Sequence, residues 1–471
     1  MRVPPLVGLL AASLITLTSL IAAPAADAAR VPCVVGETSP KCKAWTAKVK
    51  FVADGDTLRP RIKQGRRWSR KRTVRLTGIQ APELSSYSRA RGRRGNCMGV
   101  EATEALERLV KRRKVRLLAM RGGSTTQGSR TRLRRTIQVR RGGRWIDPAM
   151  VLLRKGLVLW FGNANEWAWN RTYSRLAAEA AAAGRGLWNP TACGQAGPSP
   201  DAPLSLKVKW DAPGTDSAAT NNGEWVRIKN GGDTPVPLRD WTLRDSHLRG
   251  DKMRSGYRFP RAAVVPAHGS VTVRVGRGID GGGTYHWGLD EIVFDNASDD
   301  RRQLGDGAYL FDPDSELRAH VQYPCRTACS EPLEGRVSVE ARYLGVEHEW
   351  VTVTNESPEP VSLDEYEIEN VPWFYEFGPD DTIAPGQALT LWVRRPHAVP
   401  TATPGRRLVE PRPGLSVPGL RDFESTARFL SWSHDRGMLA DGGDVVVLRN
   451  PGGAPVTGAC HAWGGVRCPD A

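Results

Sequence analysis

The residues best suited to chemistry lie between positions 54 and 83. The run Asp54-Gly55-Asp56-Thr57 places two carboxylates in a turn, and Arg75 and Glu83 follow on the next predicted strand and the turn after it. The segment between them is rich in arginine and lysine. Carboxylates in so basic a segment indicate a bound cation, or a proton that one of them transfers.

The residue types missing from this part of the chain narrow the chemistry further. All eight histidines lie beyond residue 200, which excludes a histidine-based phosphodiesterase or a Ser-His-Asp arrangement within the first 200 residues. Phosphodiester hydrolysis can instead use cations to offset charge and a carboxylate to activate water. Ten acidic residues lie between positions 30 and 200, and the simplest candidate for a catalytic cluster among them consists of Asp54, Asp56 and Glu83. Four others fall on predicted helices, where solvated roles are expected: Glu101, Glu104, Glu107 and Glu179.

Charge divides the chain into two unlike halves. Residues 30 to 200 hold 37 Lys and Arg against 10 Asp and Glu, whereas residues 201 to 471 hold 29 against 39. The arginine-rich first half favours bidentate contact with phosphate, so DNA and RNA are the expected partners, with binding that falls steeply with salt. An acidic cell-wall polymer is the alternative partner. The net negative charge of the second half disfavours independent nucleic-acid binding there, and contact with the basic half is a further expectation.

Hydrophobic periodicity predicts the elements that position these residues. Strands are expected over 46–80, 114–120 and 133–146, with helices over 101–110, 147–157 and 173–183. Leu106, Leu109 and Val110 supply the apolar stripe of the first helix. Core packing is the favoured role, and base stacking the alternative, for a group of four tryptophans: Trp160, Trp167, Trp169 and Trp188.

Residues 46 to about 190 resemble the staphylococcal nuclease (thermonuclease-like) family. The resemblance is carried by Asp54-Gly55-Asp56-Thr57, by the strand that begins at Arg75 and runs to Pro82-Glu83, and by later landmarks in the same order. It implies an OB-fold β-barrel with external helices and a calcium-assisted nuclease that cuts DNA and RNA. By position, Asp56 corresponds to a calcium ligand, Glu83 to the general base and Arg75 to the arginine that holds the phosphate.

Two positions of this resemblance need separate mention. The second arginine of the family is matched best by Arg132, with Arg134 and Arg135 as rivals. Gln80 stands where the family has a second metal-ligating aspartate; its carbonyl oxygen is still a ligand, but one negative charge is lost. This change has three possible consequences: the site binds metal more weakly, it prefers another metal, or the protein binds nucleic acid without cutting it.

The N-terminus and the cysteines predict export. Residues 1–28 contain Arg2, an apolar run and Ala26-Asp27-Ala28, as in a secretory signal peptide; an uncleaved membrane anchor is the alternative. No second long apolar run follows, so no transmembrane segment is expected after signal removal. Eight cysteines, four in each half, indicate disulfides within separate domains and an extracellular location. Their spacing does not match paired zinc ligands, and each half allows three pairings.

The remainder of the chain predicts β-sandwiches. After a linker at 194–203, short alternating strands cover 204–324, and residues 224–230, 235–243 and 266–269 resemble the lamin-tail domain, an immunoglobulin-like fold. Residues 349–355 and 360–363 repeat this pattern at an offset of 125, so residues 333–468 are expected to form a second, divergent lamin-tail-like domain, with a Pro/Arg-rich loop at 397–425. Turn formation is the expected role of three aspartates in this part of the chain, and ion binding is the alternative: Asp211, Asp216 and Asp245. The expected role of the two lamin-tail-like domains is attachment to a cell-surface polymer or a protein.

The sequence thus predicts a mainly β, multidomain protein. An OB-fold β-barrel with α-helices (46–193) is followed by two immunoglobulin-like β-sandwiches. The expected activity is that of a secreted metal-dependent nuclease, with Arg75, Glu83 and Arg132 as catalytic residues and Asp56 and Gln80 as calcium ligands. The alternative is a secreted nucleic-acid-binding or scaffold protein that cuts weakly or not at all.

Overall fold

The computed structural model describes most of the chain in fourteen segments: 29–84, 96–121, 132–193, 202–210, 221–247, 256–298, 300–325, 333–343, 349–370, 373–393, 428–431, 439, 444–451 and 455–461. The predicted signal peptide, residues 194–201 of the predicted linker, and the segment 397–425 lie outside them. The described residues form three successive β-rich domains, in agreement with the predicted multidomain β protein.

The first domain contains ten described strands: β1 (Ala29–Pro32), β2 (Lys41–Val52), β3 (Thr57–Gln64), β4 (Arg67–Lys71), β5 (Val74–Leu76), β6 (Ile79–Gln80), β7 (Lys114–Ala119), β8 (Leu133–Arg141), β9 (Arg144–Ile146) and β10 (Leu159–Trp160). All but β6 and β10 form one sheet. Pairing runs from β2 through β7, β8, β5 and β3, and β3 pairs again with β2, so five strands complete a circuit. Only β5 and β8 in this circuit are parallel. Strands β6 and β10 pair separately.

Among the residues described for this domain, three α-helices pack against the sheet: α1 (Gly99–Val110), α2 (Pro148–Arg154) and α3 (Asn170–Ala182). They match the predicted helices with shifted ends. The apolar stripe predicted for α1 is buried. Trp160, Trp169 and Trp188 are buried as predicted, whereas Trp167 is half-buried with the Arg301 guanidinium of the second domain 5.8 Å from its ring.

The sheet begins before the predicted boundary at residue 46. Strand β1 pairs with the first part of β2, and Lys43 to Lys48 pair with β7. Two disulfides hold the domain, Cys33–Cys42 and Cys97–Cys193, which selects one of the three pairings open to the first four cysteines. The second joins the start of α1 to the end of the domain, 96 residues later.

The described part of the second domain contains ten strands: β11 (Leu204–Lys209), β12 (Trp225–Asn230), β13 (Val236–Pro237), β14 (Thr242–Asp245), β15 (Tyr257–Arg258), β16 (Val264–Val265), β17 (Ser270–Arg274), β18 (Thr284–His286), β19 (Asp306–Phe311) and β20 (Leu317–Tyr323). Two four-stranded sheets, ordered β11-β12-β17-β18 and β15-β14-β19-β20, enclose a core that includes Ile228 and Trp241. The pair β13-β16 closes one end.

The third domain repeats this arrangement with β21 (Val337–Tyr343), β22 (Glu349–Asn355), β23 (Val361–Ser362), β24 (Glu367–Asn370), β25 (Trp373–Glu376), β26 (Thr382–Ile383), β27 (Ala388–Trp392), β28 (Arg428–Ser431), β29 (Asp444–Arg449) and β30 (Pro455–His461). Its sheets are ordered β21-β22-β27-β28 and β25-β24-β29-β30, and β23 pairs with β26. The sequence repeat therefore corresponds to a repeated topology.

An apolar contact joins the first domain to the second. Leu187 and Trp188 pack with Tyr309 and Leu317 in one cluster. Burial lowers the pKa of His320 to about 4, so at neutral pH the imidazole is uncharged; its ring centroid lies 4.6 Å from that of Trp188. The Gly162 amide donates to the Gly305 carbonyl at 2.9 Å, which brings the two backbones into direct contact.

Opposite charges join the second domain to the third. Cations on β11 and β12 face acidic residues around β24 and β25: Lys207, Lys209, Arg227 and Lys229 against Asp364, Glu365, Glu367 and Glu376. The Lys207 side chain is only 4% exposed, so this network is partly shielded from water and salt. In the segments described above, no helix has the length and apolarity required to cross a membrane.

Candidate active site and the adjoining cleft

A tight turn between β2 and β3 positions Asp56. The Ala53 amide donates to the Thr57 carbonyl at 2.8 Å, and the Asp56 amide donates to Asp54 Oδ1 at 3.0 Å, as in an Asx turn. The turn lies directly against α1, since a β-carbon on Gly55 would lie 2.7 Å from that of Ala102. The sequence Asp-Gly-Asp-Thr thus aims the Asp56 carboxylate into the protein, where it is 1% exposed.

Arg75 lies in the centre of β5 and contacts two of the predicted site residues. Thr57 is its register partner on β3, which brings Asp56 alongside it. Its Nη1 donates to Asp56 Oδ1, and its Nη2 donates to Gln80 Oε1. The guanidinium therefore bridges a carboxylate and a neutral amide.

Asp56 is also bonded to the segment that leads to Glu83. Its Oδ1 accepts from the Thr57 hydroxyl at 2.9 Å, and its Oδ2 accepts from the Ala81 amide at 2.6 Å. Burial raises the pKa of Asp56, and the Arg75 guanidinium and the Ala81 amide act against that rise. The carboxylate holds the turn, β5 and the end of β6 together.

Glu83 completes the group at an exposed position. Gln80 Nε2 lies 3.5 Å from Glu83 Oε1 and 3.3 Å from the Ala81 carbonyl. The Asn96 amide donates to the Glu83 carbonyl at 3.0 Å, and the start of α1 packs so closely that a β-carbon on Gly99 would lie 3.0 Å from that oxygen. Four predicted positions, 56, 75, 80 and 83, thus lie in one chain of contacts.

Whether a calcium ion fits this arrangement depends on which side-chain oxygens are available as ligands. Calcium takes about six to eight oxygen ligands and prefers carboxylates. Asp56 Oδ1 and Gln80 Oε1 do converge on one cationic group, but that group is the Arg75 guanidinium. Both Asp56 oxygens already accept hydrogen bonds, and Gln80 contributes no charge. As arranged, these side chains do not fit a calcium ion together with Arg75, and calcium binding remains a prediction.

The position of the second arginine stays open between two residues. In the parallel pairing of β5 with β8, Arg75 lies beside Arg134. Because side chains alternate along a strand, Arg132 shares that face and Arg135 does not. Arg135 is buried, and its guanidinium lies 4.7 Å from the Trp45 ring. The strand pairing therefore leaves Arg132 and Arg134 as candidates.

Glu83 also lines a cleft that the sequence did not predict. A cavity of about 550 Å³ lies where the first domain meets the second, and Pro82, Glu83 and Leu187 form its first-domain wall. Arg244 from β14 and Arg258 from β15 are on the opposite wall. Burial lowers the pKa of Arg244, and the charges of Asp245 and Glu83 oppose that fall. No signal within either domain could have indicated this cleft, because it exists only where the two domains pack.

A further group of potential metal ligands contains a disulfide bond, which accounts for the proximity of its two cysteines. Cys97, Cys193 and Glu316 lie close together, but the two cysteines form a disulfide and offer no thiolate. The Cys193 amide donates to Glu316 Oε1 at 3.2 Å. This group fastens the end of the first domain to the second.

Comparison with known families identifies part of the chain. The family model described as Lamin Tail Domain matches residues 210–325, which covers most of the second domain and confirms the predicted lamin-tail domain there. A search of curated proteins finds no match to the chain.

Proposed function

We propose that the first domain hydrolyses phosphodiester bonds of DNA and RNA at the site formed by Asp56, Arg75, Gln80 and Glu83. The observation that carries the proposal is the convergence of these four positions from a turn, two strands and a loop onto one set of contacts. The circuit of five paired strands fits the OB-type barrel that the resemblance to staphylococcal nuclease implies. The excess of arginine and lysine in this domain fits a polyanionic substrate.

Each side chain has a role that its surroundings support. Glu83 is exposed at the edge of the cleft, where it can take a proton from the attacking water. Arg75 donates one N–H to the Asp56 carboxyl group and another to the Gln80 side-chain amide oxygen. An anionic phosphate oxygen is a stronger acceptor than an amide, so the phosphate displaces Gln80 while Asp56 keeps the guanidinium in place. Arg132, which directly precedes β8, is the predicted second phosphate contact.

Replacement of Glu83 tests the activity. In a digestion assay with plasmid DNA and RNA, Glu83→Gln should lower the cutting rate by roughly 10²- to 10⁴-fold, the usual contribution of a general base, while nucleic-acid binding persists. Glu104→Gln, at an exposed position on α1, is the matched control and should cut like the parent. Equal cutting by Glu83→Gln and the parent would exclude Glu83 as the base. An arm with added calcium and an arm with a chelator test the predicted metal.

A protein that binds nucleic acid without cutting it is the second candidate. The bridging of Asp56 and Gln80 by Arg75 favours it, because a guanidinium then takes the position of the metal. This candidate predicts tight, salt-sensitive binding, with no cutting in either metal arm.

We further propose that the protein is exported and that its β-sandwiches attach it to a cell-surface polymer or a protein. The Cys33–Cys42 and Cys97–Cys193 disulfides are compatible with an oxidising compartment. The third domain repeats the topology of the matched lamin-tail domain, which supports its assignment as a divergent, immunoglobulin-like copy.

A further inference from the structure

The cleft between the first two domains contains a buried cation whose hydrogen bonds the described residues do not complete. Arg244 is 7% exposed, lines the cleft, and its Nε has no hydrogen-bond partner among the described residues. A buried guanidinium without full hydrogen bonding is costly unless a ligand completes its bonding. Its one ring contact in the described residues is Phe311, whose centroid lies 4.9 Å from the guanidinium carbon. Stacking on this ring leaves the guanidinium edge, which carries the donors, available to the cleft.

The position of Arg244 is determined by the strand and not by a mobile loop. Thr242 and Arg244 alternate with Leu243 on β14, so the polar pair faces the cleft while Leu243 packs in the sandwich core. Leu243 and Thr242 also pair with β15, which brings Arg258 to the same wall. Asp240 holds Arg258 by a contact of 2.9 Å and leaves that arginine 69% exposed.

The wall opposite these arginines carries the proposed base. Glu83 lines the same cleft, and its charge acts on Arg244. Phosphodiester hydrolysis needs a cation on the phosphate across from the base that activates water.

We propose that Arg244 of the lamin-tail domain binds a phosphate of the nucleic-acid strand, with Arg258 as a second, outer contact. The nucleic-acid site is then built by two domains, and the lamin-tail domain contributes directly to substrate binding. This inference rests on the proposed function of the first domain for its ligand, a phosphodiester.

Binding of a fluorescent single-stranded oligodeoxynucleotide to the full chain tests this inference. All variants carry Glu83→Gln to slow any cutting, and electrophoresis of the probe after each titration checks that it is intact. Arg244→Gln should raise the dissociation constant by about tenfold or more, the usual effect of losing a charge-assisted hydrogen bond, and should reduce the salt slope by about one unit. Arg244→Lys, which retains the charge but not the planar fork, should lie between Arg244→Gln and the parent.

Arg277→Gln is the matched control. Arg277 belongs to the same domain, pairs with Asp290 at 2.7 Å and does not line the cleft, so its loss should leave affinity and salt slope unchanged. Thermal unfolding of each variant shows whether it is folded. Should Arg244→Gln fail to fold, the test uses Arg258→Gln, a substitution at an exposed position, which should lower the affinity by about threefold or more.

The outcomes separate the two proposals. Parent-like binding by folded Arg244→Gln, or by Arg258→Gln where the first variant does not fold, overturns the assignment of the cleft. Weakened binding in these variants, together with no cutting by the native chain, supports the cleft and rejects the nuclease activity.

Discussion

At the scale of single residues, Gln80 decides how the site is charged. Its carbonyl oxygen accepts from Arg75, and its amide nitrogen lies near Glu83, so it contacts two of the three proposed catalytic residues. A carboxylate at this position would add a second negative charge beside Asp56, and a metal ion could then compete with the guanidinium for the two carboxylates. The neutral amide favours the arrangement in which Arg75 bridges Asp56 and position 80 without an ion.

Gln80→Asp should therefore tighten calcium binding by at least about tenfold and raise cutting, because calcium affinity depends on the number of charged ligands. Isothermal titration calorimetry with calcium measures the first effect directly. Gln64→Asp, which adds the same charge at the exposed end of β3, should leave calcium affinity unchanged. Unchanged affinity in Gln80→Asp would mean that position 80 does not face a metal.

At the scale of elements, buried polar groups connect the pieces that carry the site. Asp147 caps α2 by accepting from the Ala149 amide at 2.8 Å and accepts from the Tyr173 hydroxyl of α3 at 2.6 Å. Tyr173 in turn packs against Gly78, just before β6 and Gln80. The two sandwiches show the same use of polar groups, since Asn230 and Asn355 each donate to two backbone carbonyls at equivalent places in the repeat.

Asp147 should make the protein more stable at acidic than at neutral pH. Burial raises the pKa of Asp147 to about 6, from 3.8 in the unfolded chain, so the folded state holds the proton more tightly. Its contribution is present below about pH 4 and is lost as the pH rises to about 6, by on the order of 3 kcal/mol. His320, with a pKa of about 4, has the opposite trend, so the comparison must be between variants.

Urea unfolding of Asp147→Asn and the parent between pH 4 and 7 isolates this effect. Asparagine keeps a cap oxygen but does not ionise, so the difference in unfolding free energy should shift in favour of the variant as the pH rises from 4 to 6. A difference that does not vary with pH would show that Asp147 titrates normally.

At the scale of the whole molecule, charge and apolar packing place the domains. The first and second domains meet through Trp188, Tyr309 and Leu317, whereas the second and third meet through ion pairs. Part of the negative charge predicted for the second half of the chain thus lies on acidic residues of the third domain that pair with lysines and arginines of the second domain.

Glu376→Lys should detach the third domain from the second. Glu376 contacts Arg227 at 2.8 Å and Lys207 at 3.4 Å, so a lysine there replaces two attractive pairs with repulsion in a partly buried setting. Small-angle scattering should show a larger radius of gyration, and high salt should have a similar, weaker effect on the parent. Glu359→Lys, at an exposed position of the same domain, is the control. A compact Glu376→Lys variant would contradict this account of the interface.

Much of the architecture could be predicted because its determinants are local. The Asp-Gly-Asp-Thr turn, the apolar stripe of α1 and the 125-residue repeat depend on neighbours in sequence, and the corresponding turn, helix and repeated topology are present. The start of the first sheet at β1 was not predicted, because β1 pairs only with the first part of β2, which itself joins the sheet through long-range pairing with β7.

The sequence by itself determined which residues could take part in chemistry: Asp56, Arg75, Gln80 and Glu83 are close enough along two strands and a turn to meet once those strands pair. Only the tertiary structure decided that Arg75 bridges Asp56 and Gln80, which cysteines of the first domain pair, and that Arg244 lies across a cleft from Glu83. The physical reason is that strand period and turn chemistry act over a few residues. Side-chain partners depend on how strands and loops pack in three dimensions, and the cleft depends on two domain surfaces whose residues, Glu83 and Arg244, are more than a hundred positions apart.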